Sequence, residues 1–159
     1  MGDKVTVQLF KDLLTRLHTD VLKPRGFKKD GSNFRFYRPD GLCWIINFQR
    51  SMFCAWFECG FTMNVGVYYE PDVPVKNVKF REQQCWIRTR AAAISPRYEG
   101  MDHWWEINEL QKTDMDALYE ELKCYLECDV LPWLEKFDSK EETEQKYGYK
   151  HRYGIDYLE

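Results

Sequence analysis

The chain has 159 residues, of which 44% are hydrophobic, 16% aromatic and 31% charged, and its formal net charge is −3. This length predicts a single domain over residues 1–159, and the aromatic content excludes a disordered chain. No apolar run approaches the roughly 20 residues that cross a bilayer, and no apolar leader follows Met1. We therefore expect a cytoplasmic protein with no membrane partner.

The charges are unevenly distributed along the chain. Residues 1–100 carry 16 Lys and Arg against 10 Asp and Glu, whereas residues 101–159 carry 7 against 16. This asymmetry is typical of a basic surface with an acidic tail, or of two halves that pack together and compensate each other. Because the net charge is negative, nucleic acid is the less favoured partner, although basic and aromatic residues mix between Arg25 and Arg38.

The first predicted element is an amphipathic helix over residues 7–22, whose apolar side chains recur at helical spacing. Pro24 and Gly26 end that pattern. A hairpin follows, with strands at 33–38 and 42–50. Its turn, Pro39-Asp40-Gly41, combines a fixed φ, a local hydrogen-bond acceptor and a residue that accepts positive φ.

Two more strands are predicted, at residues 57–69 and 85–92, separated by a long connection at 70–84 that contains prolines. Residues 94–108 are predicted to be irregular.

A second helix is predicted after Thr113, which resembles an N-cap, and Pro132 should end or kink that helix near Leu131. The core is expected within residues 7–137, with 138–159 as a C-terminal tail. The element order predicts an α+β fold with a mostly antiparallel sheet of about four or more strands. The N-terminal and C-terminal helices should pack on one face of it.

Alternation along the strands predicts a polar sheet face opposite the helices. Amides, a hydroxyl and two guanidinium groups would share it, a combination that suits a carboxylate or phosphate ligand. Gly60 and Gly66 would let such a ligand approach the backbone. With the neighbouring tryptophans, the predicted ligand-binding residues are Asn47, Gln49, Thr62, Asn64, Trp86, Arg88, Arg90, Trp104 and Trp105. The alternative is an ordinary solvated face whose side chains pair across strands.

The six cysteines do not form the Cys-x-x-Cys pairs of common zinc sites; the nearest spacings are Cys54-x4-Cys59 and Cys124-x3-Cys128. We expect reduced, buried cysteines and no metal site. No cofactor-binding glycine motif occurs, so no cofactor is expected.

Known catalytic motifs are also missing from the sequence. The candidates for an acid/base group are Asp102 with His103, beside two tryptophans, and Glu58 on the third strand. A cluster such as Asp102 to Trp105 more often closes the core by packing, and Glu58 is equally consistent with a solvated surface position.

Five segments in order resemble one known family: residues 22–29, 46–51, 61–67, 85–88 and 102–105. They are similar to the domain of unknown function 4304 family, and the resemblance covers residues 10 to about 135. It implies a small bacterial α+β protein without an assigned activity. The chain departs from the expected family pattern at Trp86, where the resemblance implies His, and this weakens any His-dependent reaction.

The leading hypothesis is a binding or interaction module, with a small anionic ligand on the polar sheet face. One alternative is an enzyme that uses Asp102, His103 or Glu58. Another is a protein-interaction partner, such as an immunity-type protein, with its exposed aromatic and acidic residues as the interface. Association of two copies through an edge strand is left open by the sequence.

Overall fold

The computed structural model describes residues 5–70 and 78–147. It confirms the α+β fold, with an antiparallel sheet covered on one face by the N-terminal and C-terminal helices. The strands, in chain order, are β1 Lys28–Asp30, β2 Asn33–Tyr37, β3 Cys43–Arg50, β4 Glu58–Tyr68, β5 Ile87–Arg90 and β6 Trp105–Asn108.

The first helix, α1, spans Val5–Leu17 and turns its apolar stripe to the sheet. The helical path then widens into one π-helical turn, His18–Leu22, and a short 3-10 turn, Lys23–Arg25. Gly26 ends it at φ 91°, a left-handed conformation that glycine accepts without strain.

The sheet order is β1-β2-β3-β4-β5, and β6 pairs with β4 as well. β5 pairs with Asn64–Val67 and β6 with Glu58–Phe61, so the two short strands lie end to end along one side of β4. β1 and β6 are strands that the sequence pattern missed. They contain three and four residues, too few to establish an alternation.

The C-terminal helical layer begins with α2, Met115–Tyr125. Its N-cap is Asp114, whose side chain accepts a hydrogen bond from the backbone N–H of Ala117, and not Thr113 as predicted. A second π-helical turn, Leu126–Val130, connects α2 to α3, Leu131–Glu135.

Part of the segment predicted as a tail is helical. α4 spans Lys140–Tyr147, and the ring of Tyr147 contacts Phe137 at 5.6 Å between centroids. Residues 148–159, and residues 71–77 of the predicted connection at 70–84, lie outside the described residues.

The main core lies between the helices and one sheet face, and it includes Leu17, Phe34, Phe61 and Tyr125. A second, smaller apolar cluster lies on the opposite face, where it covers part of β3 and β4. Its members are Cys43, Ile45, Tyr68, Phe80 and Cys85. Only the remaining part of that opposite face is polar. Among the described residues, no helix is both long and apolar enough to span a bilayer.

Candidate functional site

The six polar residues predicted to share a sheet face lie on three neighbouring strands. Their Cα partners across the ladder are Asn47 with Asn64, Gln49 with Thr62, and Asn64 with Arg90. Directly opposed residues project to the same side of a sheet. We call Asn47, Gln49, Thr62, Asn64, Arg88 and Arg90 the polar face.

Hydrogen bonds connect the amides of the polar face across the strands. Asn64 Nδ2 donates to Asn47 Oδ1 at 3.0 Å and to Gln49 Oε1 at 3.1 Å, and Asn47 Nδ2 donates to Asn33 Oδ1 at 2.8 Å. This is the cross-strand pairing that the alternative interpretation expects. The amides are therefore ordered by one another.

Arg88 is held by a carboxylate that the sequence did not indicate. Its Nε donates to Glu82 Oε1 at 2.8 Å and its Nη2 to Glu82 Oε2 at 3.1 Å, so the pair is bidentate. Glu82 is buried, in a short 3-10 turn just before β5. Such a fork-to-fork pair fixes the guanidinium plane.

Arg90 is fixed by neutral acceptors and lies beside an acid and a ring. Its Nη1 donates to Asn64 Oδ1 at 2.6 Å and to Gln49 Oε1 at 3.0 Å. Its Nε lies 3.6 Å from Asp102 Oδ1, and its guanidinium carbon lies 5.5 Å from the centroid of the Trp104 ring. Trp104 is also tied to Asp102, to which its indole N–H donates at 3.2 Å.

A cavity of about 300 Å³ opens beside these two arginines. Four of the residues predicted for the site line it: Gln49, Asn64, Arg88 and Arg90. Glu82, Gln83 and Thr89 complete the lining. Another cavity of about 300 Å³ lies between α3 and α4, and it borders Tyr147, where the described chain ends.

Five of the nine predicted site residues do not line this cavity. Asn47 and Trp104 contact residues of its lining, Asn64 and Arg90 respectively. The other three make their contacts elsewhere. The Thr62 hydroxyl is buried under the backbone of residue 103 and donates to the carbonyl of His103 at 2.8 Å. Trp105 lies in the main core, stacked on Phe61. Trp86 packs against the main core too, because β5 begins only at Ile87 and strand alternation does not apply before it.

The expectation that both glycines of β4 leave room for a ligand is wrong for Gly66. A Cβ at Gly66 would lie 2.7 Å from Cys85 Sγ, so that space is filled by the protein itself. At Gly60 a Cβ would meet its nearest neighbours, Ser51 and Trp105, at an ordinary 3.8 Å.

The acid/base candidates do not converge. Asp102 lies beside Arg90, whereas the ring of His103 stacks on Tyr98 at 4.2 Å between centroids. Thr62 is the residue of β4 that contacts His103. Glu58 lies four residues from Thr62 on the same strand, which is about 13 Å along an extended backbone. Glu58 and His103 make no hydrogen bond with each other in the described structure, so they do not form a proton-transfer pair there.

Two of the cysteines contradict the expectation of burial. Cys43, Cys59 and Cys85 are buried, but Cys124 and Cys128 are exposed because Leu122, Tyr125 and Leu126 occupy the inner face of the helical path. Within residues 5–70 and 78–147, no group of three or more His, Cys, Asp or Glu is placed to hold a metal ion.

Sequence reasoning missed Glu82 because it belongs to the long connection, where neither alternation nor helical spacing assigns a side to any residue. Asp102 was considered only as an acid/base candidate. Its position beside Arg90 was not predictable, because it depends on the path that the chain takes back to the sheet before β6.

Comparison with known families gives a match over most of the chain. The model of a family described as a domain of unknown function, DUF4304, matches residues 18–136, which include all of the strands and the cavity. No curated protein and no solved structure matches the chain.

Proposed function

The chain belongs to the DUF4304 family, and because that family has no assigned function we propose one from the geometry: a module that binds a small anionic molecule in the polar-face cavity. The observation that carries the proposal is a pair of arginines, Arg88 and Arg90, fixed side by side at a cavity of ligand size.

Each arginine keeps one donor group for a ligand. The hydrogen bonds within the described residues use Nε and Nη2 of Arg88 and Nη1 of Arg90. Arg88 Nη1 and Arg90 Nη2 are left to donate outward. Because both guanidinium groups are already held by protein acceptors, a ligand would not have to order them, and this lowers the entropic cost of binding.

The lining favours a small polar ligand over an extended or strongly charged one. A cavity of about 300 Å³ is at the lower end of the range for ligand sites. The negative charges of Glu82 and Asp102 compensate the positive charges of the two arginines. The site would therefore attract a ligand through directed hydrogen bonds more than through net positive charge. A monocarboxylate or a phosphate monoester satisfies these features, and a flat substituent on it would extend past Arg90 toward Trp104, which lies beside Arg90 outside the lining.

The test is a thermal-shift screen with small carboxylates, inorganic phosphate and nucleoside monophosphates. We expect at least one probe to raise the melting temperature of the wild-type chain, by about 5–10 °C at a hundredfold excess over its dissociation constant. Arg90→Gln should abolish that shift, because it removes the outward donor and the positive charge while keeping an amide near Gln49 and Asn64.

Lys29→Gln provides the matched control, since Lys29 is an exposed cation on the edge strand β1 and changes the net charge equally. The ligand-induced shift should survive in this variant. A screen in which no probe shifts the wild-type melting temperature, or in which Arg90→Gln responds like Lys29→Gln, contradicts the proposal.

A second candidate function is protein interaction through the tip between β3 and β4. Cys54 and Ala55 lie opposite Cys59 and Glu58 in a hairpin extension, which leaves Met52 and Phe53 as an inserted pair. Met52 is 90% exposed, Phe53 87% and Trp56 62%. Three large apolar side chains on one exposed tip are typical of an interface with an apolar pocket on a partner protein.

The interface candidate is tested with the double variant Met52→Ser/Phe53→Ser. Its melting temperature should stay within about 2 °C of the wild type, since both side chains are exposed. Any complex with the product of a neighbouring gene, measured by sedimentation velocity, should weaken at least tenfold. Unchanged affinity of that complex would exclude the tip as its interface, and concentration-dependent sedimentation of the chain alone would indicate self-association instead.

A further inference from the structure

We propose that Cys124 and Cys128 form a peroxide-reactive dithiol, in which Cys124 is the nucleophile and Cys128 the resolving thiol. The pair lies on the outer face of the C-terminal helical layer, where α2 passes into its π-helical turn. It is separate from the polar-face cavity, and the proposal does not depend on ligand binding there.

The geometry distinguishes the two sulfur atoms. Arg97 Nη2 donates to Cys124 Sγ at 3.0 Å, and the sulfur atoms of Cys124 and Cys128 are 3.7 Å apart. Cys124 is thus the acceptor of a charge-assisted hydrogen bond and lies within contact of a second thiol. Reactive cysteines lie in exposed, electropositive surroundings, and Cys124 is an exposed cysteine with a cationic donor on its sulfur.

Arg97 is itself positioned for this role. Its Nε donates to Asp129 Oδ2 at 3.0 Å, and the same carboxylate oxygen accepts a hydrogen bond from the Ser95 hydroxyl at 2.7 Å. Asp129 therefore holds the guanidinium at Nε, and the Nη2 group is directed at Cys124 Sγ. The pKa of Cys128 is raised, chiefly by its hydrogen bond with Cys124.

The remaining cysteines are less suited to this reaction. Burial raises the pKa of Cys43 to about 12 and the pKa of Cys85 well above its usual range, so both stay protonated and inaccessible. Cys54 Sγ and Cys59 Sγ lie 2.9 Å apart, but Cys59 is buried and Cys54 is only partly exposed.

The oxidant is a hydroperoxide, and the reaction balances in two steps. The Cys124 thiolate attacks one peroxide oxygen, so an S–O bond forms, the O–O bond breaks and the other oxygen leaves as an alcohol or as water after taking up a proton. Cys128 then attacks Sγ of the Cys124 sulfenic acid, so the S–S bond forms, the S–O bond breaks and water leaves. The two thiols have then supplied both electrons.

The helix tolerates this bond with a small adjustment. Residues four apart on a helix have Cβ atoms about 5–6 Å apart, whereas a disulfide needs them at roughly 4 Å. The π-helical turn that starts at Leu126 already interrupts the regular α-helical hydrogen bonding between the two cysteines. The resulting bond should be slightly strained and easily reduced, which suits a reversible modification.

The experiment exposes the full-length protein to a low excess of hydrogen peroxide and maps the cysteines by mass spectrometry. Trypsin, which cleaves after Lys and Arg, releases both cysteines on one peptide, residues 124–136. We expect this peptide to be the first to lose the mass of two hydrogen atoms, as its disulfide forms, and to regain that mass with dithiothreitol. Cys43 and Cys85 should remain unmodified. Cys128→Ser should stop the reaction at a sulfenic acid on Cys124 that dimedone traps.

Arg97→Gln tests the positioning residue and should slow oxidation of Cys124 about tenfold, the ratio that corresponds to one charge-assisted hydrogen bond. Arg16→Gln, at another exposed ion pair, should leave the rate unchanged, and melting temperatures of both variants verify folding. Equal rates in wild type and Arg97→Gln, dimedone labelling of Cys128 instead of Cys124, or oxidation confined to Cys54 and Cys59 would each overturn the assignment.

Discussion

Replacing Arg88 with Ala is expected to lower the free energy of unfolding by about 3 kcal/mol. The Glu82 side chain is only 5% exposed, against 30% for Arg88, so the substitution leaves a buried carboxylate without its two guanidinium hydrogen bonds. Breaking a buried ion pair costs roughly 3–5 kcal/mol, and the partial exposure of Arg88 puts this pair at the lower end. Urea unfolding followed by circular dichroism measures the loss.

The chain contains a matched control for this prediction. Arg16 Nη1 lies 2.8 Å from Asp116 Oδ1, the same separation as in the Arg88–Glu82 pair, but the two side chains are 46% and 87% exposed. Arg16→Ala should therefore cost far less stability than Arg88→Ala, even with the loss of its contact with the Tyr119 ring.

A second variant identifies the origin of the loss. Adding Glu82→Gln to Arg88→Ala should restore part of the stability, because a neutral amide is less costly to bury than an unpaired carboxylate. If Arg88→Ala costs no more than Arg16→Ala, the Arg88–Glu82 pair is not a structural element of the sheet.

The Gly66→Ala substitution should destabilise the fold by about 2 kcal/mol, which would lower the melting temperature by roughly 4–8 °C. The added methyl group would lie 2.7 Å from Cys85 Sγ and 2.9 Å from Cys85 Cβ. Cys85 is fully buried within the smaller apolar cluster, so neither side has space to retreat. Thermal unfolding by calorimetry provides the measurement.

The Gly60→Ala variant is the control, since Gly60 lies on the same strand and the same face. Its new Cβ would make ordinary contacts at 3.8 Å, and alanine restricts the unfolded chain more than glycine does. We expect Gly60→Ala to be neutral or slightly stabilising. A similar loss in both variants would mean that strand propensity, and not the contact with Cys85, determines the effect.

The expected instability of the Arg88 and Gly66 variants makes them unsuitable as tests of ligand binding. Because Arg88 and Gly66 both support the fold, loss of binding in their variants would not separate a ligand contact from a damaged sheet. Arg90 is held by neutral amides and by an exposed acid, so its replacement removes a donor from the cavity without leaving a buried charge. It is therefore the residue on which the ligand test depends.

Much of the fold follows from local patterns in the chain. The helical spacing in α1 and the Pro39-Asp40-Gly41 turn both correspond to observed elements, with Leu42 N–H bonded to Asp40 Oδ1 at 3.0 Å. The alternation in β3 and β4 correctly separated the apolar face from the polar face. These features were predictable because each depends on residues close together in sequence.

The parts that were not predictable depend on distant contacts. Trp86 was placed on the polar face by extending the alternation two positions beyond the strand that actually forms. The exposure of Cys124 depends on which side of α2 meets the sheet, and its reactivity on Arg97 from another segment. Neither contact has a signal in local periodicity.

The sequence by itself determined the α+β fold class, the polar face and the uneven charge, because composition and periodicity are local properties. Only the tertiary structure decided what those charges do: it placed Glu82 on Arg88, Asp102 beside Arg90 and Arg97 on Cys124. Each of these pairs depends on the path of the chain between elements. A charge count of −3 could not distinguish a compensated arginine pair from a free one, whereas the distances do.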